Sequence, residues 1–200
     1  MINSALRGCS APWTFRGHLK YRAIESNLLG CSGWAGRGCR DFEIAWCEFT
    51  DTIDGLFIGP VTGVKFHHNY LENFSDDGLF LTAPTLPDGR VLGGDHHIYQ
   101  NYFGRMLTTF AYGVGRGGQR ALKDGAEGAW GERQTGAGTW ICRNVFDYRK
   151  WVYYQMPLGP DAPQEFADMG RLAGDHGSPT WEPMYFYQNT VIEGASPWRN

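Results

Sequence analysis

One short phrase recurs along almost the whole chain. Its members are Ile24-Glu25-Ser26-Asn27-Leu28-Leu29, Ile44-Ala45-Trp46-Cys47-Glu48-Phe49, Phe66-His67-His68-Asn69-Tyr70-Leu71, Ile98-Tyr99-Gln100-Asn101-Tyr102-Phe103, Ile141-Cys142-Arg143-Asn144-Val145-Phe146 and Phe186-Tyr187-Gln188-Asn189-Thr190-Val191. Aligned on the fourth residue they form a column, Asn27, Cys47, Asn69, Asn101, Asn144 and Asn189, with spacings of 20, 22, 32, 43 and 45 residues. A base period of 20 to 22 residues, opened by insertions in the later units, predicts stacked repeats. Each such unit buries its apolar face only against its neighbours.

The phrase reads as two short strands with a corner between them. Alternation turns Val64 and Phe66 inward and Lys65 and His67 outward. Units stacked about 4.8 Å apart make parallel sheets around a continuous core. A column of Asn at the corner passes amide hydrogen bonds from unit to unit and satisfies backbone groups that the bend leaves unpaired. The 28 glycines and 15% aromatic residues suit Gly-rich turns between aromatic strands, which is an all-β composition. A leucine-rich repeat needs regularly spaced Leu and a helical return, and neither is present.

In these units the chain resembles the right-handed parallel β-helix (pectin lyase-like) superfamily of pectate lyases, polygalacturonases, alginate lyases and phage tailspikes, over roughly residues 20–200. The resemblance implies a right-handed parallel β-helix solenoid of about six turns and a polysaccharide as partner. One domain is expected over 1–200, with clear repeats over 21–200 and no full unit in residues 1–20, the alternative there being an earlier, divergent turn. Long loops are expected at 82–95, 113–138 and 157–183, with a short helix at 164–169 inside the last. Insertions of this kind gather on one face of stacked repeats, often the binding face. The last unit stops at Asn200 just after its corner strand, so the chain is read as an interior piece whose solenoid the remainder of its own protein completes. A leader then lies elsewhere, and the expected location is secreted, periplasmic or cell-surface.

Composition removes several other functions. A net charge of −3 gives no basic footprint for nucleic acid. The five cysteines form no C-x-x-C pair, which argues against a zinc knuckle or a disulfide framework. No apolar run approaches the roughly 18 residues of a membrane span. Gly113 to Gly118 matches G-x-G-x-x-G, but more glycine-rich loop follows it where a dinucleotide fold needs a helix.

Three constellations can carry chemistry. The first is acidic: Asp54, Asp76 and Asp77 fall at one bend on neighbouring units, in a column expected to run Asp54, Asp77, Thr108, Lys150. Two such carboxylates can serve a glycosidase as acid and base, or as acid and nucleophile. Polygalacturonases carry Asp residues on consecutive turns in a similar way. The chain departs from them at Ile53, where the family has Asn, and in lacking their Gly-His-Gly and complete Arg-Ile-Lys elements. The plain alternative is that Asp-Gly here is turn chemistry.

The second constellation is basic: Lys65, His67 and His97 outward on one sheet, with Arg149 and Lys150 further along. A polysaccharide lyase needs a cation beside the uronate carboxylate and a base for the adjacent proton. Calcium supplies that cation in pectate lyases, and the resemblance implies Asp76, Asp77 and Asp95 as its oxygen ligands. The alternative is a solvated outer face. The pairs His67-His68 and His96-His97 are expected to split to opposite sides of their strands and not to chelate as units. The third constellation comprises the outward aromatics Tyr99, Trp140, Tyr185 and Tyr187, with Arg116 on a loop, as substrate contacts. Sugar rings stack on such faces, although long loops packing back would use them too. The rival to an enzyme is a structural or glycan-binding β-helix that cleaves nothing.

Overall fold

The computed structural model describes residues 1–8, 27–31, 39–58, 61–82, 94–113, 138–149, 171–174 and 184–192. Among these residues there is no helix, and every strand pairing is parallel. The strands form three separate sheets of ten, five and two strands. The five-stranded sheet runs Glu43–Ala45, Lys65–His67, His96–Tyr99, Thr139–Cys142, Met184–Tyr187. Its middle register is Ile44, Phe66, Ile98, Ile141, Phe186, and the first four are buried.

Each pass of the chain then turns a corner into the ten-stranded sheet. One arm of that sheet is Ala5–Arg7, Glu48–Thr52, Tyr70–Thr82, Tyr102–Phe103, Val145–Asp147, Thr190–Ile192. The long strand Tyr70–Thr82 carries the sheet into a second arm, with Leu29–Cys31 and Leu56–Ile58 on one side and Met106–Gly113 and Arg171–Gly174 on the other. One register across it is Leu29, Leu56, Leu79, Phe110, Ala173, of which Leu56, Leu79 and Phe110 are buried. The inward rings form a pile: Phe103 lies 5.1 Å from Phe146 and 5.5 Å from Phe110, and all three are fully buried. Burial of each such side chain is worth about 1.5–3 kcal/mol. The outer, sequence-distant residues of a unit are thereby held at neighbour spacing.

The corner column is a hydrogen-bonded amide ladder. Asn69 Oδ1 accepts from Cys47 N at 2.9 Å, Asn101 Oδ1 from Asn69 N at 3.0 Å, Asn144 Oδ1 from Asn101 N at 3.0 Å and Asn189 Oδ1 from Asn144 N at 3.0 Å. Each Asn also donates from Nδ2 to a carbonyl of the preceding pass, as Asn101 does to Phe66 at 2.9 Å. The residue before the ladder is left-handed in every pass, with φ of 52–57° at Asn3, Trp46, His68, Gln100, Arg143 and Gln188.

Asn27 does not belong to this ladder. Ala5 pairs with Glu48, so Ser4 occupies the position before Cys47, and residues 1–8 belong to an earlier pass, the divergent turn that the alternative reading of residues 1–20 allowed. Leu29 pairs with Leu56, which sets Asn27 beside Asp54 at a different bend. The phrase Asn-Leu-Leu fits either bend, and pairing with distant strands decides between them. Two further corrections concern the third long loop. A strand, Arg171–Gly174, lies inside 157–183, and Arg171, not Lys150, sits opposite Thr108. The expected helix at 164–169, Lys150, and most of the first two loops lie outside the described residues.

Candidate functional site

Asp54 precedes the strand Leu56–Ile58, and Asp76 and Asp77 lie in the neighbouring pass within Tyr70–Thr82. One carboxylate oxygen from each of the three comes within 4.8 Å of the others. Asp77 is 2% exposed and Asp76 9%, while Asp54 is half-buried. Backbone bonds fix the two passes against each other: Gly55 N donates to Asp77 O at 2.8 Å and Asp76 N to Ile53 O at 3.0 Å. The glycines after Asp54 and Asp77 are not there for a left-handed turn, because Gly63, Gly94 and Gly138 are the described glycines with positive φ. They are there for close approach. A Cβ on Gly55 would meet Gly78 O at 2.3 Å, and one on Gly78 would meet Thr109 O at 2.7 Å. The Asp-Gly pairs therefore bring two acid-bearing passes together; they are not isolated tight turns.

Thr108 pairs directly with Asp77, as expected, and Asn27 flanks Asp54 on the other side. Asn27 was missed as a member of this group. Its signal is a shared spacing: Asn27-x-Leu29, Asp54-x-Leu56 and Asp77-x-Leu79 each set a polar side chain two residues before a leucine of the core or packed against it. Three carboxylates at this range can share a proton, and they are also the hard oxygen donors that calcium takes. Asp95 is not one of them. It is exposed at the start of the five-stranded sheet, with Oδ1 3.3 Å from His97 Nε2.

The basic and aromatic residues gather on the outer face of the five-stranded sheet, in two adjacent columns. Glu43, Lys65, His97, Trp140 and Tyr185 form one. Ala45, His67, Tyr99, Cys142 and Tyr187 form the other. Trp140 and Tyr185 stack at 4.3 Å, His97 lies over Trp140 at 6.3 Å, and His67 stacks on Tyr99 at 4.7 Å. Burial, followed by Glu43 and Cys142, pushes the Tyr99 hydroxyl above its ordinary range. A hydrogen bond with Cys142 does the same for Tyr187. Lys65 is exposed as expected, but His67 is buried although it faces outward.

His67 is covered because the adjacent His68 turns back onto it. His67 Nε2 lies 2.9 Å from Glu43 Oε1, and its Nδ1 lies 2.8 Å from His68 Nδ1. The two rings therefore meet, against the expectation that neighbours on a strand diverge. His68 is not on the strand but at the left-handed corner, at φ 55°, where the alternation no longer applies. Burial and the adjacent His67 lower the His68 pKa. His96 faces the core; its Nδ1 accepts from Val64 N at 3.4 Å, and burial drives its pKa down to about 4.

Arg149 stands apart from this face. It follows Val145–Asp147 in the ten-stranded sheet and clasps Asp147 through Nε at 3.0 Å and a terminal nitrogen at 2.8 Å. That clasp holds the Asp147 carboxyl down to about 2. Lys65, His67 and His97 are thus brought together, and Arg149 follows a strand of another sheet. Lys150 and Arg116 lie outside the described residues. Among the described residues no helix is long and apolar enough to cross a membrane. No protein-family model, curated protein or solved structure matches the chain.

Proposed function

We propose that the chain is a right-handed parallel β-helix that hydrolyses a polysaccharide at Asp54, Asp76 and Asp77. The observation that carries this is the convergence of three carboxylates within 4.8 Å from two adjacent passes, with Asp77 buried and Asp76 only 9% exposed. Like charges this close disfavour full ionisation, which suits one carboxyl to act as the acid. That acid protonates the glycosidic oxygen as the bond to the anomeric carbon breaks. A second carboxylate attacks that carbon to form a glycosyl ester, and water, giving its proton to the first carboxylate, then displaces it. The third holds the pair in place and can accept a hydroxyl of the sugar. The stacked Trp140 and Tyr185, with Tyr99 and Tyr187 beside them, lie on the five-stranded sheet, apart from the acidic group, and offer a glycan chain a separate run of aromatic faces. A polysaccharide substrate goes with a secreted, periplasmic or cell-surface protein.

Elimination is the weaker chemistry here, because its cations are divided: Lys65, His67 and His97 lie on one sheet, and Arg149 follows a strand of another. The same aromatic columns favour a second reading, a β-helix that binds glycan without cleaving it. Screening neutral and uronate polysaccharides for new reducing ends separates these readings. Hydrolysis predicts reducing ends without the absorbance of an unsaturated uronate, and their loss in Asp76→Asn. Unsaturated products, or full activity in Asp76→Asn, would refute the proposal.

A further inference from the structure

A second site runs along the amide corner. It is a groove of about 920 Å³ on the outside of the bend between the two larger sheets. Its floor is the ladder position, Cys47, Asn69 and Asn101. One wall is the left-handed residue of each pass: Trp46, His68, Gln100, Arg143. The other is the first residue of the next strand: Glu48, Tyr70, Tyr102, Val145. None of these residues belongs to the acidic group or to the aromatic face of the five-stranded sheet.

Both walls present rings. Trp46 stacks on His68 with centroids 4.0 Å apart, and Tyr70 stacks on Tyr102 at 5.0 Å with planes 4° apart. Trp46 is nevertheless 57% exposed and Tyr70 38%. The backbone sharpens the point. Trp46 has φ 57°, a region that glycine or Asn occupies cheaply and a bulky residue does not. The ladder needs only that bend, so Gly would satisfy the fold. Large rings held at a strained corner and left open to solvent point to a ligand that uses them.

The polar groups define its chemistry. Glu48 stands toward one end of the groove and Arg143 toward the other, with the Gln100 amide between them, so one carboxylate and one guanidinium balance along its length. One guanidinium opposed by a carboxylate is not the positive channel that single-stranded nucleic acid requires. Passes about 4.8 Å apart make the groove roughly 19 Å long from Ala5 to Val145. We propose that this corner groove binds a neutral glycan chain lying across the passes, with Trp46 and Tyr70 stacking on sugar faces and Glu48, Gln100 and Arg143 bonding hydroxyls. It stands whether or not the acidic group cleaves anything.

Native gels cast with soluble β-glucan, galactomannan or polygalacturonate test it. The wild-type chain should be retarded by a neutral polysaccharide and not by polygalacturonate. Trp46→Gly, which the left-handed backbone accepts, and Tyr70→Ala should each weaken that retardation by roughly tenfold, the effect of about 1.4 kcal/mol. Retardation and the release of reducing ends are read side by side in the same variants, and loss of retardation in Trp46→Gly and Tyr70→Ala with reducing-end release retained separates this site from the hydrolytic one. The proposal is overturned if neither neutral polysaccharide retards the wild type, if polygalacturonate alone does, or if either folded variant is retarded like wild type. Should Trp46→Gly fail to fold, Tyr70→Ala decides.

Discussion

Replacing Asn101 by Ala tests the ladder that aligns every proposed site. Asn101 is 2% exposed. Its Oδ1 accepts from Asn69 N at 3.0 Å and from Asn69 Nδ2 at 3.1 Å, and its Nδ2 donates to Phe66 O and to Asn144 Oδ1, both at 2.9 Å. Truncation orphans two buried donors, the Asn69 backbone N–H and one Asn69 side-chain N–H. A buried donor without a partner costs about 1–3 kcal/mol, so the loss should be about 4 kcal/mol. Against a total stability of roughly 5–15 kcal/mol that is a large fraction. Urea unfolding followed by far-ultraviolet circular dichroism reads it as a shift in midpoint at unchanged slope. Asn189→Ala, at the half-buried end of the ladder, should cost less, because water can reach the donors it strands. If Asn101→Ala lies within about 1 kcal/mol of wild type, the ladder does not hold the passes together and the reasoning fails.

Two further outcomes follow from other parts of the molecule. Gly55→Ala forces a methyl to 2.3 Å from Gly78 O and 2.4 Å from the Phe74 ring, so it should cost about 1–3 kcal/mol or more and lower the melting temperature, whereas Gly30→Ala, facing only Asn27 Nδ2 at 3.3 Å, should cost less. His96 binds its proton at about pH 4 when folded and at about 6.5 when unfolded, chiefly because it is buried. The unfolded chain therefore holds the extra proton between these values, and the stability present above pH 6.5 should fall by about 3 kcal/mol as the pH drops to 4. Urea midpoints at pH 7 and 4.5 should lose that part of their difference in His96→Gln, and an unchanged difference would refute the assignment.

Much of this arrangement is written in local sequence, because local rules generate it. Alternation at period two makes Phe66 inward and Lys65 outward wherever the strand runs, and an Asn one residue past a left-handed corner has few partners other than the next pass. Asn69, Asn101, Asn144 and Asn189 were therefore legible as one column, and Asp54 and Asp77 as neighbours. Local rules are silent on which distant strand a pass meets. Asn27-Leu28-Leu29 has the same local form as Asn189-Thr190-Val191, yet its strand pairs with Leu56–Ile58 and joins the acidic bend. The contact of His67 with His68, the groove walled by Trp46 and Tyr70, and Arg171 opposite Thr108 arise the same way. Alternation and bend chemistry are properties of a few consecutive residues, whereas neighbourhood across passes is set by register summed over the whole stack, and that only the tertiary structure decides.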